Sequence, residues 1–344
     1  MATSPGELLR EAGKAAVFRF HDAESAVADL RAEVMRGLAR APKSIPPKFF
    51  YDQRGSELFD AICLLPEYYL TRAETEILRR HARDIARLIG PDAVLVEFGS
   101  GATEKVRLLL EALSPAGYLG IDISSEFLTA ATARLARDCP WLPVHAACAD
   151  FSKPLALDYP PPDSKRLVFF PGSSIGNFTP AESIAFLAHQ RSLVGADGGF
   201  VVGVDLKKDE RVLHAAYNDA AGVTAAFNLN LLARIKRELG AEFDLGGFAH
   251  EAPYNAAAGR IEMYLVSRRE QAIRIEGREF HFAAGERLHT ENSYKYSIAE
   301  FQSLARRAGY ASAAVWTDAA ERFSVHYLRP ALASVHVADH HARG

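Results

Sequence analysis

The octapeptide His289–Tyr296, HTENSYKY, carries a carboxylate and a hydroxyl two residues apart. Strand alternation would put Glu291 and Ser293 on one face and Asn292 and Tyr294 on the other. Such a pair can hold an imidazole, the carboxylate accepting from one ring N–H and the hydroxyl pairing with the other nitrogen. The same residue types also suit a solvated acidic strand edge. A second candidate is PGSSIGNFTP, residues 171–180, which reads as a strand end, a tight turn allowed by Gly172 and Gly176, and a helix start at Thr179-Pro180. There the Asn177 amide can donate to a carboxylate and the Gly172 carbonyl can accept from an amine, or Asn177 simply closes the turn. Tyr217, in the polar trio Tyr217–Asp219 amid alanines, offers either a further donor to a carboxylate or a core tyrosine with a satisfied hydroxyl.

A separate chemistry sits in VEFGSGATEK, residues 96–105. A dinucleotide loop requires a third glycine where this chain has Glu104, and a carboxylate in the first helical turn repels pyrophosphate. A nucleoside without phosphates suits the loop, and S-adenosylmethionine fits that description. Gly99 allows close approach of the backbone, Asp122 at the next strand end can take ribose hydroxyls, and Asp150 followed by Phe151 can meet the adenine. Asp122 and Asp150 are equally suited to capping the helices that follow them.

These residues fall at the ends of short apolar runs, AVLVEF, YLGIDI, VHAACAD, LVFFPGS and GFVVGVDL, separated by helix-like stretches. The order predicts an α/β fold with a doubly wound, Rossmann-like parallel sheet that binds ligands at its carboxyl-terminal edge. After Asp205 the pattern predicts one long helix over AAYNDAAGVTAAFNLNLLARIKREL and then antiparallel hairpins. ASAAVWTD and FSVHYLRP are two later strand candidates, and if they rejoin the first sheet, residues 207–296 are an insertion. The first 70 residues read as mostly helical.

With 344 residues, 49% apolar and 24% charged, and a net charge of -3, the chain is expected to be globular and lacks the basic footprint of a nucleic-acid binder. It shows no apolar run long enough for a membrane span and no export signal, so a cytoplasmic protein with a small-molecule partner is expected. Cys63, Cys139 and Cys148 suit reduced structural thiols better than a disulfide or metal site. The His-rich end HVADHHARG reads as a frayed tail.

Taken together, PKFFYDQRGSELFDAICLLPEYYLTRAE, VEFGSGATEKVRLLLEAL, FFPGSSIGNFTP, GVDLKKD, AAYND, FNLNLLARIKRELG and LHTENSYKYS resemble the histidine Nα-methyltransferase family of ergothioneine biosynthesis, from about Ser44 to Pro330. The resemblance implies a class I methyltransferase domain (72–206 and 297–330), a substrate-binding α+β domain (20–71 and 207–296) and a tail (331–344). It implies S-adenosylmethionine contacts at Tyr51, Gly99, Lys105, Asp122, Asp150 and Phe151. It implies histidine contacts at Tyr68, Gly172, Asn177, Tyr217, Met263, Glu291 and Ser293, three successive methylations to hercynine, and no metal.

The chemistry asks for a neutral amine in line with the S–CH3 bond and a route for its proton, for which Tyr51 is the candidate. Phe50, Tyr51, Tyr68 and Tyr69 could face the methylated cation or pack the domains together. A monomer is expected. The alternatives are an Nα-methyltransferase for another amino acid such as tryptophan, a non-catalytic S-adenosylmethionine-binding module, and a dehydrogenase, the last disfavoured by Glu104. Against tryptophan, Glu291 facing an indole would find one N–H and lose solvation.

Overall fold

The computed structural model describes residues 18–22, 29–101, 104–153, 155, 157 and 159–331. The His-rich tail lies outside them. The apolar runs form parallel strands β2 (Val94–Phe98), β3 (Gly117–Asp122), β4 (Val144–Cys148), β5 (Arg166–Phe170) and β6 (Gly199–Asp205). With β1 (Phe18–Asp22), β13 (Tyr310–Thr317) and β14 (Phe323–Pro330) they make one eight-stranded sheet in the order β1-β4-β3-β2-β5-β6-β14-β13. The chain reverses direction either side of β2, which creates the crevice where ligands bind in open α/β sheets. β14 runs antiparallel to β6, so the late hairpin rejoins the sheet. The N-terminal region is not wholly helical: β1 adds to β4 in parallel at the sheet edge.

Successive residues of these strands feed two separate cores. Leu95, Leu167, Phe169 and Val201 join one, while Val94, Val96, Val168, Phe170 and Phe200 join the other. A strand buried on both faces must be apolar throughout, which is why these runs do not alternate with polar residues. Helices α1 (Leu30–Leu38), α2 (Gln53–Leu64), α3 (Leu70–Ile89), α4 (Glu104–Leu113) and α5 (Ser125–Asp138) contribute to the first core. Helices α6 (Pro180–Val194) and, later, α9 (Ile298–Arg307) contribute to the second. Thr179 and Glu182 form a capping box at the start of α6 with Pro180 at its first position, as the sequence signals.

The segment expected as one long helix is two, α7 (Glu210–Tyr217) and α8 (Val223–Leu239). The break comes at Gly222, which takes φ +71°, while Asp219 accepts from the amides of Val223 and Thr224 at 2.8 Å each. Left-handed backbone plus an Asx cap restarts the helix in a new direction, and that outweighs the helix-forming alanines around it.

Strands β7 (Phe248–Glu251), β8 (Tyr254–Asn255), β9 (Arg260–Ser267) and β12 (Arg287–Tyr294) form a second, antiparallel sheet, and β10 (Gln271–Ile275) pairs with β11 (Arg278–Phe282) as a hairpin. Ile261, Met263, Leu265 and Leu288 of that sheet belong to the first core, so apolar packing is continuous from the large sheet into the smaller one. Among the described residues no helix is long and apolar enough to cross a membrane. Cys148 is buried, whereas Cys63 and Cys139 are half-buried, and none of the three is joined in a disulfide.

Candidate active site

One cavity gathers all seven residues expected at a substrate: Tyr68, Gly172, Asn177, Tyr217, Met263, Glu291 and Ser293, with Tyr51 beside them. They come from five separate stretches of the chain. A register shift between His289 and Glu291 leaves Thr290 as an extra residue and sets Glu291 opposite Met263 and Ser293 opposite Ile261. The bulge carries Glu291 and Ser293 onto the buried face, where both are less than a tenth exposed. The solvated-edge reading of HTENSYKY therefore does not hold.

Burial raises the Glu291 carboxyl to about 7, with Lys295 pulling it back down. The Asn177 amide lies 3.4 Å from Glu291 Oε2, which joins the turn at 174–177 to β12. Gly176 permits this approach, since a Cβ there would stand 2.7 Å from the Tyr294 carbonyl. The Tyr217 hydroxyl is 2.7 Å from Ser293 Oγ, and Tyr217 is not a core tyrosine closed off from the cavity.

The expected aromatic cluster divides. Tyr51 and Tyr68 line the cavity, but Phe50 is fully buried against Phe227, with ring centroids 4.6 Å apart. Tyr69 turns away and donates to Asp205 at 2.8 and 2.9 Å. Phe59 and Phe227 take their places in the wall and pack edge-on against Tyr51 at 5.7 and 5.8 Å. Burial pushes the Tyr51 phenol well above its ordinary range, and the charges of Glu291 and Asp122 add to the rise.

Of the residues expected at a cofactor, Gly99, Asp122, Asp150 and Phe151 follow or close the carboxyl ends of β2, β3 and β4, whereas Lys105 lies in α4 and Tyr51 on the cavity. Gly99 takes φ +75° with no atom within 4 Å of where a Cβ would be, so the loop is open on its ligand side and only glycine adopts its backbone without strain. The Asp122 carboxyl, raised to about 6 by burial despite donations from the amides of Ser124 and Ile123, keeps an acceptor oxygen for hydroxyl groups. Asp150 accepts from Ser152 N and Oγ at 3.1 and 2.5 Å and from Lys48 Nζ at 3.0 Å. Burial works against its charge, but Ser152 and Lys48 hold its carboxyl below the usual range. Both acids close local turns and do not cap helices: Asp122 accepts from the amide of Ser124, the N-cap residue of α5, and among the described residues no helix lies between Asp150 and β5. Phe151 packs against Phe98 and Phe170 beside this edge, at 5.4 and 5.6 Å. These groups fit a nucleoside with an unphosphorylated, cationic tail.

Lys105 is paired with Glu74 at 2.7 Å, and Glu74 also accepts from the Gly172 amide at 2.9 Å. Sequence reasoning passed over Glu74, Asp205 and Lys295. Glu74 is a fully buried charge on the apolar stripe of α3, between Ala73 and Ile77, and that placement was the available signal. Lys295 extends the alternation 291, 293, 295 by one step and is 1% exposed. Its Nζ lies 2.9 Å from both Tyr217 Oη and Ser293 Oγ and 2.7 Å from Asp205 Oδ2. Among the described residues no group of His, Cys, Asp or Glu is arranged to hold a metal ion.

The arrangement offers carboxylate, hydroxyl and amide groups for a small zwitterion, next to a nucleoside-shaped edge. A family model described as histidine-specific methyltransferase, SAM-dependent, matches residues 30–330. The chain is 43% identical to the histidine N-alpha-methyltransferase of Mycolicibacterium smegmatis over 88% of this chain and 95% of that one. It is 41% identical to the Mycobacterium tuberculosis protein of the same name, over 86% and 93%. Ergothioneine biosynthesis protein 1 of Neurospora crassa is 31% identical over 83% of this chain and 33% of its own length. The chain belongs to the S-adenosylmethionine-dependent, histidine-specific methyltransferase family.

Proposed function

We propose that this protein trimethylates the α-amine of L-histidine to give hercynine, as a step toward ergothioneine, with the amino acid held between the large sheet (72–206 and 297–330) and the substrate-binding unit (20–71 and 207–296). The observation that carries the reading is the meeting of Glu291, Ser293, Asn177, Tyr217, Tyr68, Met263 and Gly172 in one cavity. Glu291 takes one imidazole N–H and Ser293 pairs with the other nitrogen. Asn177 and Tyr217 donate to the carboxylate, and the Gly172 carbonyl accepts from the amine. Bound S-adenosylmethionine supplies an electrophilic methyl group, and Gly99, Asp122, Asp150, Phe151 and Lys105 would hold it.

The protein's own work is orientation and proton handling. Only the neutral amine attacks, and holding it in line can replace an effective molarity on the order of 10⁵ M. A phenol as strongly raised as Tyr51 is no general base near neutral pH. It takes up a proton only while passing on its own, so Tyr51 serves as a relay from the amine toward solvent. Tyr51 and Tyr68 present ring faces to the growing cation.

The reading takes the enzyme as a cytoplasmic monomer whose partner is a free amino acid. It is tested by mass spectrometry of the protein incubated with S-adenosylmethionine and each of the twenty amino acids separately. A gain of three methyl groups on histidine alone is expected. Methylation of tryptophan or another amino acid would overturn the pocket assignment, and no turnover would favour a binding module.

A further inference from the structure

Behind the cavity wall lies a buried ionic cluster that the reaction as described does not use. Lys295 Nζ has three N–H groups and three partners: Asp205 Oδ2 at 2.7 Å, and Tyr217 Oη and Ser293 Oγ at 2.9 Å each. None is left over, because its side chain is fully buried. Lys208 Nζ reaches Asp205 Oδ1 at 2.6 Å, Tyr69 Oη at 2.6 Å and the Leu206 carbonyl. Tyr69 Oη donates to both oxygens of Asp205. Two ammonium groups thus share one carboxylate. Burial works against both ammonium groups: attraction to Asp205 nonetheless raises Lys295 above its usual range, while burial and repulsion from Lys295 bring Lys208 down to about 8 in spite of Asp205 and Asp318.

Two consequences follow for the cavity. Tyr217 Oη and Ser293 Oγ each accept one hydrogen bond from Lys295, and one of them donates to the other across 2.7 Å. Two hydroxyl protons, less the one spent between them, leave one proton to offer a ligand. Lys295 also places a buried ammonium, itself paired with Asp205, 2.9 Å from both hydroxyls, and its N–H bonds polarise the remaining proton. A hydroxyl polarised in this way favours an anionic acceptor over a neutral one.

We propose that Lys295 is a positioning residue for substrate selection: through the Tyr217 hydroxyl it commits the pocket to a ligand bearing a carboxylate, although it does not touch the ligand itself. The proposal rests on the reading of Tyr217 as a carboxylate donor. When Lys295 is replaced by methionine, Asp205 keeps Lys208 and Tyr69 as partners and is not left as an unpaired buried charge.

The test compares binding of L-histidine and L-histidinamide, in which a neutral amide replaces the carboxylate, by calorimetry on the full chain saturated with S-adenosylhomocysteine. Wild type is expected to prefer histidine by at least about tenfold, as for a hydrogen bond to a charged group. In Lys295→Met that preference falls to within about threefold, while affinity for S-adenosylhomocysteine is unchanged. Differences in amine basicity between the ligands cancel when the ratios of the two proteins are compared. Tyr217→Phe, which leaves the ionic cluster intact, is expected to lose the preference as well.

A merely structural Lys295 would weaken both ligands equally and leave the ratio alone. Retention of the wild-type ratio in Lys295→Met, or in Tyr217→Phe should the lysine variant not fold, overturns the proposal, as does a wild type without preference. If wild type binds neither ligand and methylates no histidine, the functional reading itself has failed, a result distinct from an unchanged ratio.

Discussion

In the proposed reading, Glu291 decides whether the cavity receives an imidazole. Its carboxyl, raised to about 7 by burial, is mostly protonated at pH 6 and mostly ionised at pH 8. The ionised form accepts a ring N–H in a charge-assisted bond, whereas the protonated acid offers only the weaker, neutral acceptor of its carbonyl oxygen. The KM for histidine in the wild type should therefore fall as pH rises through 7, beyond the change set by the ligand's own titration. In Glu291→Gln the amide cannot ionise, so the KM ratio of variant to wild type should widen with pH and reach about 10- to 100-fold at pH 8, the usual worth of a hydrogen bond to a charged group. Steady-state kinetics of both proteins from pH 6 to 8.5 checks this. A constant ratio would remove the carboxylate's charge from recognition. The pairing of Glu291 with Ser293 was visible in the sequence as two polar residues at strand spacing. The bulge at Thr290, which turns them inward, was not, because the shift is imposed by the partner strand β9 and leaves no mark in local composition.

At the scale of elements, three pieces of backbone meet on one side chain. Glu74 of α3 binds Lys105 of α4 and the amide of Gly172 at the end of β5, and its carboxylate sits over Gly203 of β6, where a Cβ would be 2.1 Å from Oε1. Gly172 itself needs φ +75°, so the turn that presents its carbonyl to the cavity is held at its amide by Glu74. Removing the carboxylate would leave Lys105 without its ion-pair partner, and breaking a buried pair costs on the order of 3 kcal/mol. Glu74→Ala should lower unfolding stability by that amount in urea titrations. The double variant Glu74→Leu with Lys105→Met should recover most of the loss, since it leaves no charge unpaired. No difference between the single and double variants would mean that the pair is not what holds these elements together. The broken helix at Gly222 belongs to this scale too. Composition favoured one continuous helix, and the restart became visible only when Asp219 was seen to cap Val223 and Thr224.

For the whole molecule, the parallel strands were legible because burial on both faces demands unbroken apolar runs, and the candidate ligand residues were sought at the ends of those runs. The N-terminal strand beside β4 was not legible, since an edge strand with one parallel neighbour need not be uniformly apolar. Folding around this site also has an acid–base signature. Burial lifts Glu97 to about 8 and Glu291 to about 7, and Asp122 to about 6. A carboxyl raised on folding lends stability that is complete below its unfolded value and disappears as pH climbs through its folded value. His326, lowered by burial to about 4, works in reverse, lending stability above 6.5 that is lost as pH falls toward 4, and burial lowers His250 and His289 in the same sense. The histidines thus act only below about pH 6.5, while Glu291 and Glu97 still lose ground above it, so ligand-free protein should be most stable near pH 6. Its Tm should drop by at least about 1.5 °C between pH 6.5 and 8, for a loss of about 1 kcal/mol or more. Glu97→Gln, an uncharged isostere that can still accept from the Tyr118 hydroxyl now 2.6 Å away, should remove much of that fall. Thermal unfolding followed by circular dichroism across this range gives the answer, and a wild-type Tm that is level or rising from pH 6.5 to 8 would show that these carboxyls ionise without strain in the folded protein.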